Sequence, residues 1–487
     1  MSQMKILFVS PEVSPLVRTG GLGDVVGSLP HALKKEGLDV RIVCPLHQSC
    51  MRLTRALYPK PISIRLGKKT YSFSVSSTRL GDSDILVYFL GNDSLFDRNG
   101  IYSNESGNFQ DNALRAFALS KAAIELEKSI NWQPDIFHAH DWMAAPTCAF
   151  LNQKKKRLKR KVASVLTIHN LEHQGIFSYD DFKDSGLPLS YWGIDGFEHN
   201  GALNLLKGGI QHADKLTTVS PTYAGEIKTT SFGQGLEKSL IYRAADLIGI
   251  LNGIDEDAWD PENDDAILQK LTINSPSKGK KACKQALQEE LGLNKVENVP
   301  LYGVVSRLYQ QKGLDLLLEI MPDLLLKKNC QFAILGSGAP EEENAFRQFA
   351  ENHPTQVASY IGFDDGLARR IFAGSDFFLM PSRFEPCGLS QQYALRYGSI
   401  PIARKTGGLA DTITPVESKS KLANGFLFDR SHPQNLAEVI NKSLVLYQDQ
   451  TAFLNTRKNA MHSSFSWEAA AQQYINTYKW ALEKKDQ

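Results

Sequence analysis

The sequence has little of what would place it in several large classes of protein. Its six cysteines, Cys44, Cys50, Cys148, Cys283, Cys330 and Cys387, show neither C-x-x-C nor histidine-paired zinc spacing. Neither a disulfide framework nor a structural zinc site is expected, and reduced thiols in a cytoplasmic setting are. It has no excess of one charge, since 55 basic against 53 acidic side chains leave +2. With no global field, neither nucleic acid nor a membrane surface is an expected partner, and an anionic ligand has to be held locally. The basic run KKKRLKRK at 154–161 lacks interleaved aromatics and reads as a solvated face ahead of a strand. No apolar run approaches the roughly 18 to 20 residues that cross a bilayer. Glu319, Pro322 and Asp323 interrupt the stretch from Leu316, and Pro11 and Glu12 end the short run from Ile6, which reads as a first strand rather than a secretion signal.

What is present is length and a repeated pattern. A chain of 487 residues, 42% of them hydrophobic, exceeds one core and predicts two or three domains. Short β-branched runs (KILFVS, DVRIVCP, ILVYFL, DIFHAH, SVLTIHN, KLTTVS, LIGILNG) alternate with helix-length segments through the first half, and LYGVVSR, FAILGSG, ASYIGF, DFFLMPS, IPIAR and GFLFD repeat the scheme in the second. Continuous apolar strands of this kind belong to parallel sheets covered on both faces, so two doubly wound, Rossmann-like α/β domains are expected. The division is expected at 1–252 and 253–464, with EDAWDPENDDAI from Glu256 as a polar, proline-containing linker, NSPSKGKK from Asn274 as a further loop, and a last helix within 465–487.

One loop is written almost twice, as RTGGLGD (18–24) and KTGGLAD (405–411), each between a strand and a helix. Ligands of doubly wound sheets bind outside the carboxyl ends of the strands, and paired glycines let backbone amides approach an oxyanion at a helix start. One such loop per domain suits a ligand gripped from two sides. Arg307 and Lys312 in SRLYQQKG lie between another strand and helix, where two cations can flank a diphosphate and neutralise the charge that develops as it leaves. Glu385 in PSRFEPCGLSQ follows the strand DFFLM and precedes a glycine-containing helix start, which puts a carboxylate where chemistry is expected. His138, His140 and Asp141 in HAHDW could suggest a metal cluster. A strand directs alternate residues to one face and no third partner is evident, so no metal is expected.

These motifs, with TIHNLEHQG, VSPTYAGEI, LNGIDEDAWDP and a final FSW, resemble in order and over essentially the whole chain those of bacterial glycogen synthases. The resemblance implies a GT-B fold with two Rossmann-like domains around a deep cleft, and a last helix returning to the first domain. It implies transfer of glucose from ADP-glucose to the non-reducing end of an α-1,4-glucan with retention of configuration, without a cofactor. Carried over, Glu385 would be the carboxylate on the donor sugar, His169 would contact the donor glucose, and Arg307 with Lys312 would hold the diphosphate. Arg18, Gly20, Gly21 and Asp24 would serve substrate binding, with the Gly20 and Gly21 amides packed on the phosphates. Tyr102, Asp141, Asn170 and Asn252 would serve substrate binding in the first domain, with Asp141 and Tyr102 toward the glucan. Phe363, Cys387, Gly388, Leu389, Thr406, Gly407 and Gly408 would line the nucleotide half. Three positions depart from the family's usual pattern: Arg18 where lysine is common, Phe363 where tyrosine is expected on the base, and Tyr393 where many retaining relatives carry a second glutamate. The first bears on donor affinity, because guanidinium and ammonium bind phosphate differently.

Other readings stay open at this stage. A transferase of the same fold could use UDP-glucose or another acceptor, and a glucan-binding protein could keep the fold without activity. A glycosidase would need two carboxylates flanking the bond, and a dehydrogenase more than the fragment GSGAP at 336–340. A pyridoxal-dependent phosphorylase would need a Schiff-base lysine, and none stands out. Oligomeric state is not legible.

Overall fold

The computed structural model describes residues 3–155, 158–327, 329–418 and 420–483. Lys156 and Arg157 of the basic run lie outside the described residues. The chain divides into two compact units, Met1–Gly253 with Trp467–Gln487, and Ile254–Ser466. Among the described residues no helix is long and apolar enough to cross a membrane.

The first unit is built on a nine-stranded sheet among the described residues. Its order is Leu247–Gly249, Lys215–Thr218, Ala163–Ile168, Ile136–His140, Lys5–Val9, Asp39–Pro45, Leu86–Gly91, Lys69–Arg79, Ala56–Leu66. Asp39–Pro45 is laid on one side of Lys5–Val9 and the chain later returns to lay Ile136–His140 on its other side, both parallel to it. The order therefore reverses between Lys5–Val9 and Ile136–His140, the place where such sheets bind ligands. Each apolar run read from the sequence forms a strand. The antiparallel hairpin Ala56–Leu66/Lys69–Arg79 is an addition to the expected parallel sheet. Its warrant is a period-two pattern that buries Ile62, Ile64, Leu66, Phe73 and Val75, joined by Gly67 at φ +53°.

The last helix, Trp467–Glu483, belongs to this unit. It packs on helix Gly21–Lys35 and sends Trp467, Ala471, Tyr474 and Tyr478 into the core that holds Val25, Leu29 and Leu33. Burying a large apolar side chain contributes about 1.5–3 kcal/mol. The helix therefore closes one face of this core.

The second unit carries a six-stranded parallel sheet among the described residues. Its order is Val357–Ile361, Gln331–Gly336, Leu301–Val305, Phe377–Met380, Ile400–Arg404, Phe426–Phe428. Its reversal lies between Leu301–Val305 and Phe377–Met380. Two sequence expectations change here. The stretch from Glu256, read as a linker, packs onto this unit: Trp259 stacks on Tyr393 at 3.8 Å, the Arg369 guanidinium lies 4.0 Å from the Trp259 ring, and Glu256 accepts the Phe465 N–H at 3.1 Å. NSPSKGKK is not all loop, because Pro276 opens helix Pro276–Glu290, where its missing N–H costs nothing. On that helix Lys284 donates to Asp376 at 2.6 Å, and Arg457 donates to the same carboxylate at 2.9 Å. This buried triad ties the sheet to the flanking helices.

Candidate active site

In the first unit the loop RTGGLGD follows strand Lys5–Val9 and opens helix Gly21–Lys35. A Cβ at Gly20 or Gly21 would meet nothing within 4 Å, so the loop is open to approach. It is held by Glu12, which sequence reasoning missed. The Glu12 carboxylate, 3% exposed, accepts the Thr19 N–H at 2.6 Å, the Thr19 hydroxyl at 2.8 Å, the Gly20 N–H at 3.3 Å and the Tyr102 hydroxyl at 2.6 Å. A buried carboxylate needs donors, and these are the donors in reach. The Gly20 amide, expected on a phosphate, is thus engaged within the fold. Of the expected pair, Gly21 has no hydrogen bond from its amide among the described residues. Arg18 donates to Asp24 at 2.9 Å across a half-exposed pair, which contributes about 0–1 kcal/mol and can exchange for an anionic ligand. The Tyr102 hydroxyl is committed to Glu12, and burial, with Glu12 next, raises its pKa well above the usual phenol value.

Strands Ile136–His140 and Ala163–Ile168 run parallel with His140 opposite Thr167. Their carboxyl ends therefore deliver Asp141 and His169 side by side. Asp141 sits at φ +55°, in the left-handed region, a conformation that costs a non-glycine residue on the order of 1 kcal/mol. It is held there because its Oδ1 accepts the His169 N–H at 2.6 Å, with the Asn170 N–H also bonded to the carboxylate. Burial pushes this carboxyl up to about 8, against the pull of the two amides. His169 is buried and neutral, pushed down to about 3 by burial, with Nε2 3.0 Å from His140 Nδ1. The Asn170 side chain accepts the Glu172 N–H at 3.0 Å, and Asn252 is buried near the end of the unit's first segment. His138 has both ring nitrogens occupied, by Tyr478 at 2.9 Å and Thr167 at 2.6 Å. Among the described residues no three metal-ligating side chains converge.

In the second unit the sheet reversal brings Lys312 and Glu385 together. Lys312 Nζ donates to Glu385 Oε2 at 2.7 Å, and Ser382 Oγ donates to the same oxygen at 2.9 Å. Glu385 is 6% exposed, so the lysine balances a buried charge, as a carboxylate in such a place requires. Arg307, across the same strand end, is exposed and has no ion-pair partner among the described residues. Ser382, like Glu12, carried no signal in the sequence.

The second glycine loop does a different job from the first. Gly407 sits at φ +43°, a Cβ there would lie 2.0 Å from the Glu385 carbonyl oxygen, and one at Gly408 would lie 1.9 Å from that of Cys387. The Gly408 N–H donates to the Glu385 and Pro386 carbonyls at 3.2 Å. KTGGLAD, with buried Thr406 before the glycines, therefore clamps the Glu385 loop instead of leaving both amides open. Gly388, at φ +70°, and Leu389 lead from that loop into helix Ser390–Arg396, and Cys387 is buried beneath it. Phe363, 78% exposed, stands just past strand Val357–Ile361. Tyr393 is stacked on Trp259, so the position of the second glutamate is given to packing.

Two doubly wound units whose charged residues gather at the sheet reversals define a glycosyltransferase of the GT-B fold class. Residues 5–242 match the starch synthase catalytic domain family and residues 287–459 the glycosyl transferases group 1 family. The chain is 42% identical to the glycogen synthase of Geotalea daltonii, over 99% of this chain and 100% of that one, and 40% identical to that of Thermotoga maritima, over 99% of each. The solved catalytic domain of starch synthase IV from Arabidopsis thaliana, bound to ADP and acarbose, matches with a TM-score of 0.90 at 31% identity, over 99% of this chain and 100% of that one. The chain belongs to the glycogen synthase family, enzymes of glycosyl transfer in glucan synthesis.

Proposed function

We propose that the protein extends an α-1,4-glucan at its non-reducing end by transferring glucose from ADP-glucose with retention of configuration, and that it needs no metal or other cofactor. The observation that carries this is the buried Glu385 carboxylate, fixed by Lys312 at 2.7 Å and Ser382 at 2.9 Å, with Arg307 exposed past the neighbouring strand Leu301–Val305 and without an ion-pair partner among the described residues. When the anomeric bond breaks, positive charge develops on the sugar and negative charge on the departing ADP. Glu385 stabilises the first, and Arg307 and Lys312 the second. These two cations supply the charge that a metal would otherwise bring. The ADP bound to the Arabidopsis relative supports the choice of nucleotide.

In this reading His169 meets the donor glucose, Asp141 and Tyr102 lie toward the glucan, and Phe363 stacks on the base. The test is release of nucleoside diphosphate from ADP-glucose and from UDP-glucose, each with and without glycogen, in wild type and Glu385→Ala. Glycogen-dependent ADP release that collapses in the variant is the expected result. Preference for UDP-glucose overturns the donor assignment, and release that ignores glycogen overturns transfer.

A further inference from the structure

His140 ends strand Ile136–His140 and is fully buried. Its Nδ1 lies 3.0 Å from His169 Nε2, and its own Nε2 is buried without a hydrogen-bond partner. The ring is held in place, with its centroid 4.2 Å from that of His138 and 4.9 Å from that of Phe8. His138 is itself pinned by Tyr478 and Thr167. Burial keeps both His140 and His169 neutral, so each ring carries one N–H.

The contact between the two rings needs one proton, and two arrangements supply it. If His169 Nε2 donates, His140 must carry its own proton on Nε2, leaving a buried N–H with no acceptor. Such orphaned donors are rare and cost about 1–3 kcal/mol. If His140 Nδ1 donates, what remains at its Nε2 is a bare lone pair, the lesser penalty. We infer that His140 is a positioning residue whose Nδ1–H donates to His169 Nε2 and thereby fixes His169 in the tautomer that carries its proton on Nδ1.

The consequence is chemical. His169 Nδ1 makes no hydrogen bond among the described residues and is not one of the buried orphaned atoms. It presents an N–H donor to whatever occupies the site. It can bind the lone pair of a sugar hydroxyl or ring oxygen, and it cannot take a proton as a general base. This last step rests on the proposed contact between His169 and the donor glucose.

The test has a spectroscopic and a kinetic arm. In the full chain labelled with 15N-histidine, two-bond proton–nitrogen correlation spectra distinguish protonated from bare ring nitrogens, and His140→Asn and His169→Asn identify the two rings. A protonated Nδ1 and bare Nε2 on both is expected, and a protonated Nε2 on His169 overturns the inference whatever the activity. Kinetically, His140→Asn keeps an N–H near the place of Nδ1 and should hold kcat within about threefold. His140→Leu should lower it about three- to tenfold, the worth of one neutral hydrogen bond, with KM for glucan unchanged. Equal losses in the two variants contradict the proposal. If His140→Leu does not fold, the wild-type spectrum decides alone. His169→Ala separates the two readings: unchanged kcat and donor KM there would remove the sugar contact while the tautomer assignment stood.

Discussion

Replacing Asp141 by asparagine isolates the cost of keeping a buried carboxyl at the end of strand Ile136–His140. In the unfolded chain an aspartate titrates near 3.9, whereas in the fold burial pushes this one up to about 8, with the His169 and Asn170 amides pulling the other way. Between those values the folded protein holds a proton that the unfolded chain has released, so stability falls as pH rises. The contribution is full below about pH 4, is lost by about pH 8, and has a slope of up to about 1.4 kcal/mol per pH unit. Asparagine has no charge to bury, keeps an oxygen for the His169 N–H now accepted at 2.6 Å, and tolerates positive φ. Asp141→Asn should therefore gain on wild type by about 1 kcal/mol per pH unit between about pH 5 and about pH 8, read by urea unfolding at each pH. Parallel stability profiles for the two proteins would refute the reasoning. Asp141→Ala is the control: it leaves an amide without its acceptor and should lie about 1–3 kcal/mol below Asp141→Asn at every pH.

Gly407→Ala should destabilise the second unit by about 2–3 kcal/mol in thermal unfolding and lower kcat, because its Cβ would lie 2.0 Å from the Glu385 carbonyl oxygen. Gly21→Ala, facing open space, should stay within about 0.5 kcal/mol of wild type. Asp376→Ala strands Lys284 and Arg457, two buried cations, and should cost about 3–5 kcal/mol in urea unfolding. Phe363→Ala removes a side chain that is 78% exposed. It should leave the melting temperature nearly unchanged while raising KM for the nucleotide sugar about tenfold through lost base stacking, in steady-state kinetics.

The parallel strands of both sheets were legible because both faces of such sheets are buried, which leaves apolar runs as their signature. The hairpin Ala56–Leu66/Lys69–Arg79 was not singled out, although the alternation of Ile62, Ile64 and Leu66 carried it. The positions of Arg307, Lys312 and Glu385 at strand ends were readable, since a strand's carboxyl end is marked by its loop. Their pairing was not, because the contact between Lys312 and Glu385 spans 73 residues of sequence. Glu12 was hidden for the same reason: its donors Thr19 and Tyr102 come from different segments, and an isolated glutamate between two prolines reads as surface. The twin glycine loops looked alike and are not, because openness at Gly20 and crowding at Gly407 depend on what the fold sets opposite them.

The central claim is retaining glucosyl transfer that depends on Glu385, and the configuration of the new linkage tests it most directly. Proton NMR of a short malto-oligosaccharide incubated with ADP-glucose and wild-type protein should show α-linked extension at the non-reducing end, with Glu385→Gln slower by about a hundredfold or more. A β linkage, or a Glu385→Gln protein that transfers at the wild-type rate, would contradict the account.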